Sequence, residues 1–450
     1  MTYFAVLARD ATERDEGGFA TELACPHLPR VEIDVSIESL AYGGSAIARH
    51  EGKALFVPGA APGERVRVRV TADHGSWSEA EIVGILEKSP SRVEPPCPIV
   101  SECGGCPWQH VDYASQLDAK QQAVVDAFRR IAGLDDVAVD PIVPSPDTFG
   151  YRNRLSLRFE GGRIGFYQSR TNRLVPVPDC LLAVDEVRHA LPAVERFLAS
   201  LTTRVMRVEI ASRGLLPGVS VAVQSAGRLR HGDTLAAHAV VEDRQGQIRG
   251  LVMHGRGWKR AWGDPRRCFE VAPGVFVNFP GASFGQVNSR ANLDLVKLVV
   301  ARCTETPPAR LVELYAGAGN FSFAVAQRSG RVLAVDEDEG AIEAGRTAAR
   351  EAGIRNLKFA ASRAEAWLAE AKGPVDVLLV DPPRSGLAAA AASAAALGAS
   401  RVVYVSCNPT TLARDVRVLV GAGYRVSGVS PIDLFPQTFH VETVCTLELT

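Results

Sequence analysis

The rhythm of apolar and polar positions changes along the chain, and each change predicts a different architecture. From Val31 to about Pro90 the apolar residues come in short alternating runs. Val31-Glu-Ile-Asp-Val-Ser-Ile37 has period two, Tyr42-Gly43-Gly44 turns, Ala54–Val57 is apolar, Pro58 to Gly63 turns again, and Val66-Arg-Val-Arg-Val70 alternates. Short strands at this spacing predict a small β barrel over 31–90. Pro95-Pro96-Cys97 then forms a stiff linker into a second unit, 91–280. That unit holds an amphipathic helical stretch from Tyr113 to Ile131, prolines at 141, 144 and 146, and strand-like segments from Tyr151 to Val177. Beyond Ala309 the apolar runs Leu311–Leu314, Val332–Val335, Val375–Val380, Val402–Val405 and Tyr424–Val429 alternate with alanine-rich helical stretches. A parallel, doubly wound α/β sheet is predicted there, within a third unit, 281–450.

Composition narrows the classes. At 450 residues, 46% apolar and 22% charged, the chain can bury sizeable cores in two or three domains and is not disordered. Its longest bland stretch, Leu387 to Ala399, is nearly all alanine, which favours a helix too short and weakly hydrophobic to cross a bilayer, so no membrane partner is expected. Fifty basic against fifty-one acidic residues give a net charge of −1, so any RNA site must be local. Arg152, Arg154, Arg158, Arg163, Arg170 and Arg173, with Glu160 opposing, form one local basic surface. Arg256, Lys259, Arg260, Arg266 and Arg267, interleaved with Trp258 and Trp262, form another suited to phosphate contact and base stacking. Acids follow the apolar patch Tyr3–Leu7 and no basic leader precedes it, so it does not read as a signal peptide. Nine cysteines, an odd number, fit a reduced cytoplasm better than a disulfide scaffold. With no long amphipathic surface asking for a partner, a monomer is expected.

The ends of the α/β strands carry the chemistry. Glu313-Leu-Tyr-Ala-Gly317-Ala-Gly319-Asn320-Phe321 follows the first strand, where glycines let a ligand approach the backbone. Asp336, seventeen residues past Gly319, is placed to accept both ribose hydroxyls of a nucleoside. Ser322 stands where a dinucleotide fingerprint needs its third glycine, favouring S-adenosylmethionine over NAD. Asp381-Pro-Pro-Arg384 ends the fourth strand, and Arg384 replaces the aromatic with which amino-methylating enzymes stack a base. Ser406-Cys407-Asn-Pro409 ends the fifth on the same edge. Carbon 5 of uracil is a weak nucleophile until a thiolate adds at carbon 6, and the carbon-5 proton must later leave to a base. Cys407 supplies the thiol, and His440 and Glu442 are the candidate bases.

Together these segments resemble the S-adenosylmethionine-dependent RNA uracil-5 methyltransferases, the group of tRNA T-loop and 23S rRNA enzymes. The resemblance runs from Val31 to Thr450 on Ser283-Phe-Gly-Gln286-Val-Asn288, Leu314-Tyr-Ala-Gly-Ala-Gly-Asn-Phe321, Asp381-Pro-Pro-Arg-Ser-Gly386, Ser406-Cys-Asn-Pro409 and Phe435–Glu442. It implies a Rossmann-like class I methyltransferase domain behind a small OB-like barrel of TRAM type and a central α+β iron–sulfur domain. It implies Cys407 as nucleophile, Glu442 as base, and His440 as a structural or orienting residue. Gln286, Tyr315, Asn320 and Asp336 would contact the cofactor, with Asp381 between cofactor and uracil and Phe284 near the base. Cys97-x5-Cys103-x2-Cys106 and a distant Cys180 suit iron–sulfur or zinc by ligand softness, and the resemblance points to a 4Fe-4S cluster. Cys25, Cys268, Cys303 and Cys445 match nothing and are expected to be buried filler. The adenine contact that relatives place after the third strand is left open by Phe359-Ala-Ala-Ser362-Arg363. The implied substrate is a uridine of 23S rRNA, with tRNA as alternative. A cytosine-5 enzyme would need a further cysteine where Arg384 stands, and a non-catalytic TRAM-type RNA binder would not need Cys407 or Glu442.

Overall fold

The structure is a computed structural model that describes residues 32–243, 245–281, 285–371 and 373–450. Expectations that fall on Tyr3–Leu7, Cys25, Val31, Ser283 and Phe284 lie outside the described residues. Five strands, β1 (Glu32–Leu40), β2 (Ala46–His50), β3 (Lys53–Val57), β4 (Arg65–Asp73) and β5 (Trp77–Glu87), close into a barrel in the order β1-β2-β3-β5-β4. Alternation explains the closure: Val35, Ile37, Val66 and Val68 point inward, while Asp34, Arg67, Arg69 and Glu81 face out. The outer charges pair among themselves, Arg67 with Asp34 at 2.8 Å and Arg69 with Glu32 and Glu81 at 2.8 and 3.0 Å.

Helix α1 (Tyr113–Ala127) opens on Asp112, whose side chain accepts the Ser115 N–H at 2.9 Å, and runs into a π-helical turn at Phe128–Ala132. A seven-stranded mixed sheet follows, ordered β12-β11-β10-β9-β6-β7-β8. Its strands are β6 (Arg154–Glu160), β7 (Arg163–Tyr167), β8 (Leu174–Pro176), β9 (Arg204–Ser212), β10 (Val219–Ala226), β11 (Ile248–Gly255) and β12 (Trp258–Gly263). Helices α2 (Asp185–Ser200) and α3 (His231–Glu242) pack on it around Leu155, Val187, Leu191, Val208 and Val221. A hairpin, β13 (Arg267–Ala272) with β14 (Val275–Phe279), leads to the last unit.

There the sheet order is β17-β16-β15-β18-β19-β21-β20, with β15 (Arg310–Leu314), β16 (Arg331–Asp336), β17 (Leu357–Ala361), β18 (Val377–Val380), β19 (Arg401–Ser406), β20 (Tyr424–Ile432) and β21 (Glu442–Leu449). Helices α4 (Ser289–Thr304), α5 (Ser322–Ala326), α6 (Glu339–Glu351), α7 (Ala364–Glu370), α8 (Ala390–Ala396) and α9 (Pro409–Gly421) connect or flank the strands. Apolar residues cover both faces, which is why the strands read as unbroken hydrophobic runs. The all-parallel expectation needs one correction. β21 runs antiparallel and inserts between β19 and β20, pairing Ser406 with Thr443.

The basic surfaces are also less bare than the sequence suggested. Arg154 pairs with Glu209 at 3.6 Å, Arg163 with Glu195 at 3.1 Å, Arg173 with Glu102 at 2.9 Å, and Arg170 with Glu79 of the barrel. Trp262 is buried and Trp258 donates its indole N–H to Gly227 O at 2.8 Å, so neither is a free stacking platform. Cys303 and Cys445 are buried in the cores, but Cys268, also expected to be buried, is only partly so. Among the described residues no helix is long and apolar enough to cross a membrane.

Candidate active site

The carboxyl edge of the parallel strands opens into a cleft of about 890 Å³. Gln286, Tyr315, Gly317, Asp336, Asp381, Arg384, Cys407, His440 and Glu442 all line it. The turn after β15 explains one end. Tyr315, Gly317 and Gly319 have φ of 62°, 55° and 98°, and a Cβ on Gly319 would stand 2.8 Å from the Phe323 ring. Asp336 fixes this turn: one carboxylate oxygen accepts the Gly317 N–H and the other the Asp338 N–H, both at 2.8 Å. Each oxygen keeps a lone pair for a ribose hydroxyl. Glu337, Asp338, Arg363 and Glu365 continue this end of the wall, so the segment after β17 contributes charge where the sequence left the adenine contact open. Below lies Glu313, fully buried and bonded to Ser322, its carboxyl pushed up to about 8 by desolvation. Asn320 does not line the cleft; its amide exchanges two hydrogen bonds with Asn292 of α4 at 2.8 and 3.0 Å.

The other end is built by two helix and strand starts. Asn408 caps α9 by accepting the Thr410 N–H at 3.0 Å, and Pro409 suits the first helical position. Cys407 is thereby held between the end of β19 and a fixed helix start. The same Asn408 donates to Arg384 O at 3.2 Å, tying the Asp381-Pro-Pro-Arg384 loop to the cysteine loop. Glu442 arrives from the opposite chain direction. Because β21 is reversed, its first residue reaches the edge where parallel strands end, and the Ser406–Thr443 pairing sets Glu442 close to Cys407.

The electrostatics at this end are set by burial and by the Arg384 guanidinium. Burial pushes the Cys407 thiol up to about 12, with Glu442 and Asp381 adding to the rise and Arg384 opposing it. The Asp381 and Glu442 carboxyls are both raised by burial, Glu442 further by Asp381, while Arg384 pulls it back. His440 is driven down to about 3 by burial and the cations Arg384, Arg152 and Lys120, so it is neutral. Its Nε2 lies 3.3 Å from the Arg384 guanidinium and must accept, since a guanidinium only donates.

One contribution escaped sequence reasoning, and another was read only as part of a basic surface. Tyr42, from the barrel, donates its hydroxyl to Cys407 O at 3.4 Å and meets the Phe439 ring edge-on at 5.4 Å. Arg152, Arg154, Ser156, Arg207 and Glu209 bring the central sheet to the cleft mouth. No local pattern announces contacts between residues this far apart in sequence. The four cysteines 97, 103, 106 and 180 gather separately, around a cavity of about 80 Å³. Burial, with Coulomb repulsion between the cysteines, raises Cys103 and lifts Cys106 to about 12. Among the described residues no group of three or more His, Cys, Asp or Glu is drawn up as it stands around one metal ion.

Residues 273–450 match the tRNA (uracil-5-)-methyltransferase family model and residues 28–83 the TRAM domain. An uncharacterized RNA methyltransferase of Gloeobacter violaceus is 35% identical over 92% of this chain and 96% of its own. The 23S rRNA (uracil(1939)-C(5))-methyltransferase RlmD of Pectobacterium atrosepticum is 32% identical over 93% and 94%. The chain belongs to the RNA (uracil-C5)-methyltransferase family. It is an S-adenosylmethionine-dependent enzyme that methylates carbon 5 of uracil in RNA. The fold agrees. The Pyrococcus abyssi tRNA (uracil-54, C5)-methyltransferase, solved with S-adenosyl-L-homocysteine, superposes with a TM-score of 0.70 at 24% identity, covering 92% of this chain and all of that one.

Proposed function

We propose that this methyltransferase acts on a uridine of 23S rRNA through a covalent adduct, with Cys407 as nucleophile and Glu442 as base. The carrying observation is the reversed strand β21, which sets Glu442 beside Cys407 on one cleft with Asp381 and Arg384. Cys407 sulfur adds to carbon 6, and the electrons of the 5,6 double bond move toward carbon 5 and the carbon-4 oxygen. Bound S-adenosylmethionine would supply an electrophilic methyl group to carbon 5, its methyl–sulfur bond breaking to leave S-adenosylhomocysteine. Glu442 then removes the carbon-5 proton, the double bond re-forms, and the carbon–sulfur bond breaks to release the thiolate. Arg384 is the cation that favours the thiolate and the carboxylate against burial. Gln286, Tyr315 and Asp336 are our candidates for cofactor contacts, with Asp381 between cofactor and base; Asn320 would act by bracing α4.

Relatives named for 23S rRNA, aligned over nearly the whole chain, support that substrate class over tRNA. For the four cysteines the reading is a 4Fe-4S cluster. Thiols raised by burial and mutual repulsion need a soft cation to ionise together. All four line one cavity of about 80 Å³, and the resemblance to cluster-bearing relatives favours the iron–sulfur centre over zinc.

The test uses 5-fluorouridine transcripts of a tRNA and of 23S rRNA fragments with S-adenosylmethionine. Fluorine cannot leave as a proton, so the enzyme stays bonded to the RNA that it recognises. A shifted band with an rRNA fragment, lost in Cys407→Ala, is expected. A shift with the tRNA alone would overturn the substrate class, and one that survives Cys407→Ala would overturn the nucleophile.

A further inference from the structure

Arg152 is common to two cavities, the cysteine-lined one and the methyl-transfer cleft. Its backbone explains why. The Arg152 N–H donates to Leu182 O at 2.7 Å and its carbonyl accepts the Val184 N–H at 2.9 Å, which ties it to the loop carrying Cys180. On the other side it bridges to Asn288, and its neighbour Asn153 donates to Val287 O at 2.8 Å and Gln286 O at 2.9 Å. Residues 151–153 therefore join the cysteine loop to the loop that places Gln286 in the cleft.

Arg152 is partly buried: its guanidinium hydrogen-bonds Tyr151, while its Nε is buried with no hydrogen-bond partner. Among the described residues no carboxylate forms an ion pair with it; on this side it lines one cavity with Cys97, Cys103, Cys106 and Cys180. The Tyr151 hydroxyl is itself buried and donates to Pro436 O at 3.0 Å, so it stays a neutral phenol. Desolvating a cation without an anion is costly, and the cysteine sulfurs of the shared cavity could supply that negative charge.

We propose that Arg152 is the counter-ion of a thiolate-ligated centre at Cys97, Cys103, Cys106 and Cys180, and that it transmits the occupancy of that centre to the methyl-transfer cleft. The inference rests on the four-cysteine reading given above. On it, Arg152 is a positioning residue: the anionic centre holds the guanidinium, and the guanidinium holds the clamp between the two loops.

The experiment compares anaerobically purified wild type with Arg152→Met and Arg152→Lys. Iron and acid-labile sulfide per chain, the rate of iron release to a chelator, and the reduction potential are measured beside adduct formation with 5-fluorouridine RNA. Arg152→Met should release iron about 10–100-fold faster, as for loss of an outer-shell partner. Its potential should move to more negative values, because a nearby cation that favours the reduced centre is gone. Arg152→Lys should stay near wild type. Stripping the metal should slow adduct formation in wild type and add nothing further in Arg152→Met, the signature of one coupled unit. If circular dichroism finds Arg152→Met unfolded, Arg152→Gln replaces it in the same comparison. Should the centre hold zinc, chelator-driven zinc release replaces iron release. Iron-loaded wild type with unchanged release and potential in Arg152→Met would overturn the inference alone. Wild type without metal would overturn the cysteine reading and the inference with it.

Discussion

Replacing Lys120 by methionine tests how the loop that delivers His440 and Glu442 is held. The Lys120 and Asp433 side chains are fully buried and meet at 2.7 Å, and the ammonium also donates to Phe435 O at 3.0 Å. Asp433 accepts two more hydrogen bonds, from the Tyr113 hydroxyl at 3.0 Å and the Phe435 N–H at 2.8 Å. Methionine nearly matches the lysine stem, so little packing is lost and the charge change dominates. Removing one partner of a buried pair costs about 3–5 kcal/mol. Two donors still serve the carboxylate, which places Lys120→Met near the lower end, about 3 kcal/mol. At about 2–4 °C per kcal/mol for a unit of this size, the melting temperature should fall by about 6–12 °C. Circular dichroism melts of wild type, Lys120→Met and Lys120→Met/Asp433→Leu measure this, and the double variant should recover part of the loss. A shift below about 2 °C would refute the reasoning.

Other outcomes follow from the same geometry. With Cys407 raised to about 12, its alkylation in the free enzyme should climb with pH from neutrality toward that value, since the reactive thiolate grows tenfold per pH unit; a plateau near 8.5 would contradict the burial argument. Glu442→Gln should form the adduct with ordinary uridine RNA and fail to release it, read as a persistent band on a denaturing gel; normal product release would exclude Glu442 as the base. Tyr42→Phe keeps the ring against Phe439 but loses the hydrogen bond to Cys407 O, so adduct formation should slow by about 2–10-fold with RNA affinity unchanged. Gly319→Ala forces a Cβ against Phe323 at a φ of 98°, and calorimetry should find weakened S-adenosylmethionine binding.

The rhythm of the chain made the barrel and the α/β sheet legible, because burial on one face or two leaves period two or an unbroken apolar run. Strand direction leaves no such trace, so the reversal of β21 was invisible even though Phe435–Glu442 stood out chemically. Cys407 and Asp381 were legible as candidates because both follow apolar runs that end at one edge. The six arginines between 152 and 173 read as opposed by Glu160 alone because Glu79, Glu102, Glu195 and Glu209, which answer four of them, lie elsewhere in the chain. Asn320 sits inside a ligand-like motif yet its amide is spent on Asn292, and only packing could reveal that. Tyr42 acts across a long sequence separation and carries no local signature.

The barrel's turn bears on how such enzymes can diverge. A Cβ on Gly44 would stand 3.1 Å from Pro107 and 3.3 Å from Phe439, Trp108 donates its indole N–H to Gly44 O at 3.0 Å, and Tyr42 touches the cysteine loop. The turn, the Pro107-Trp108 corner and the Phe439 ring are thus mutually fitted parts drawn from all three units. A barrel transplanted from a relative would import a foreign surface into this joint and disturb the chemistry as well as the grip on RNA. Recombination between family members should therefore tolerate exchange of the entire chain, or joint exchange of these three segments, far better than barrel swaps at the linker.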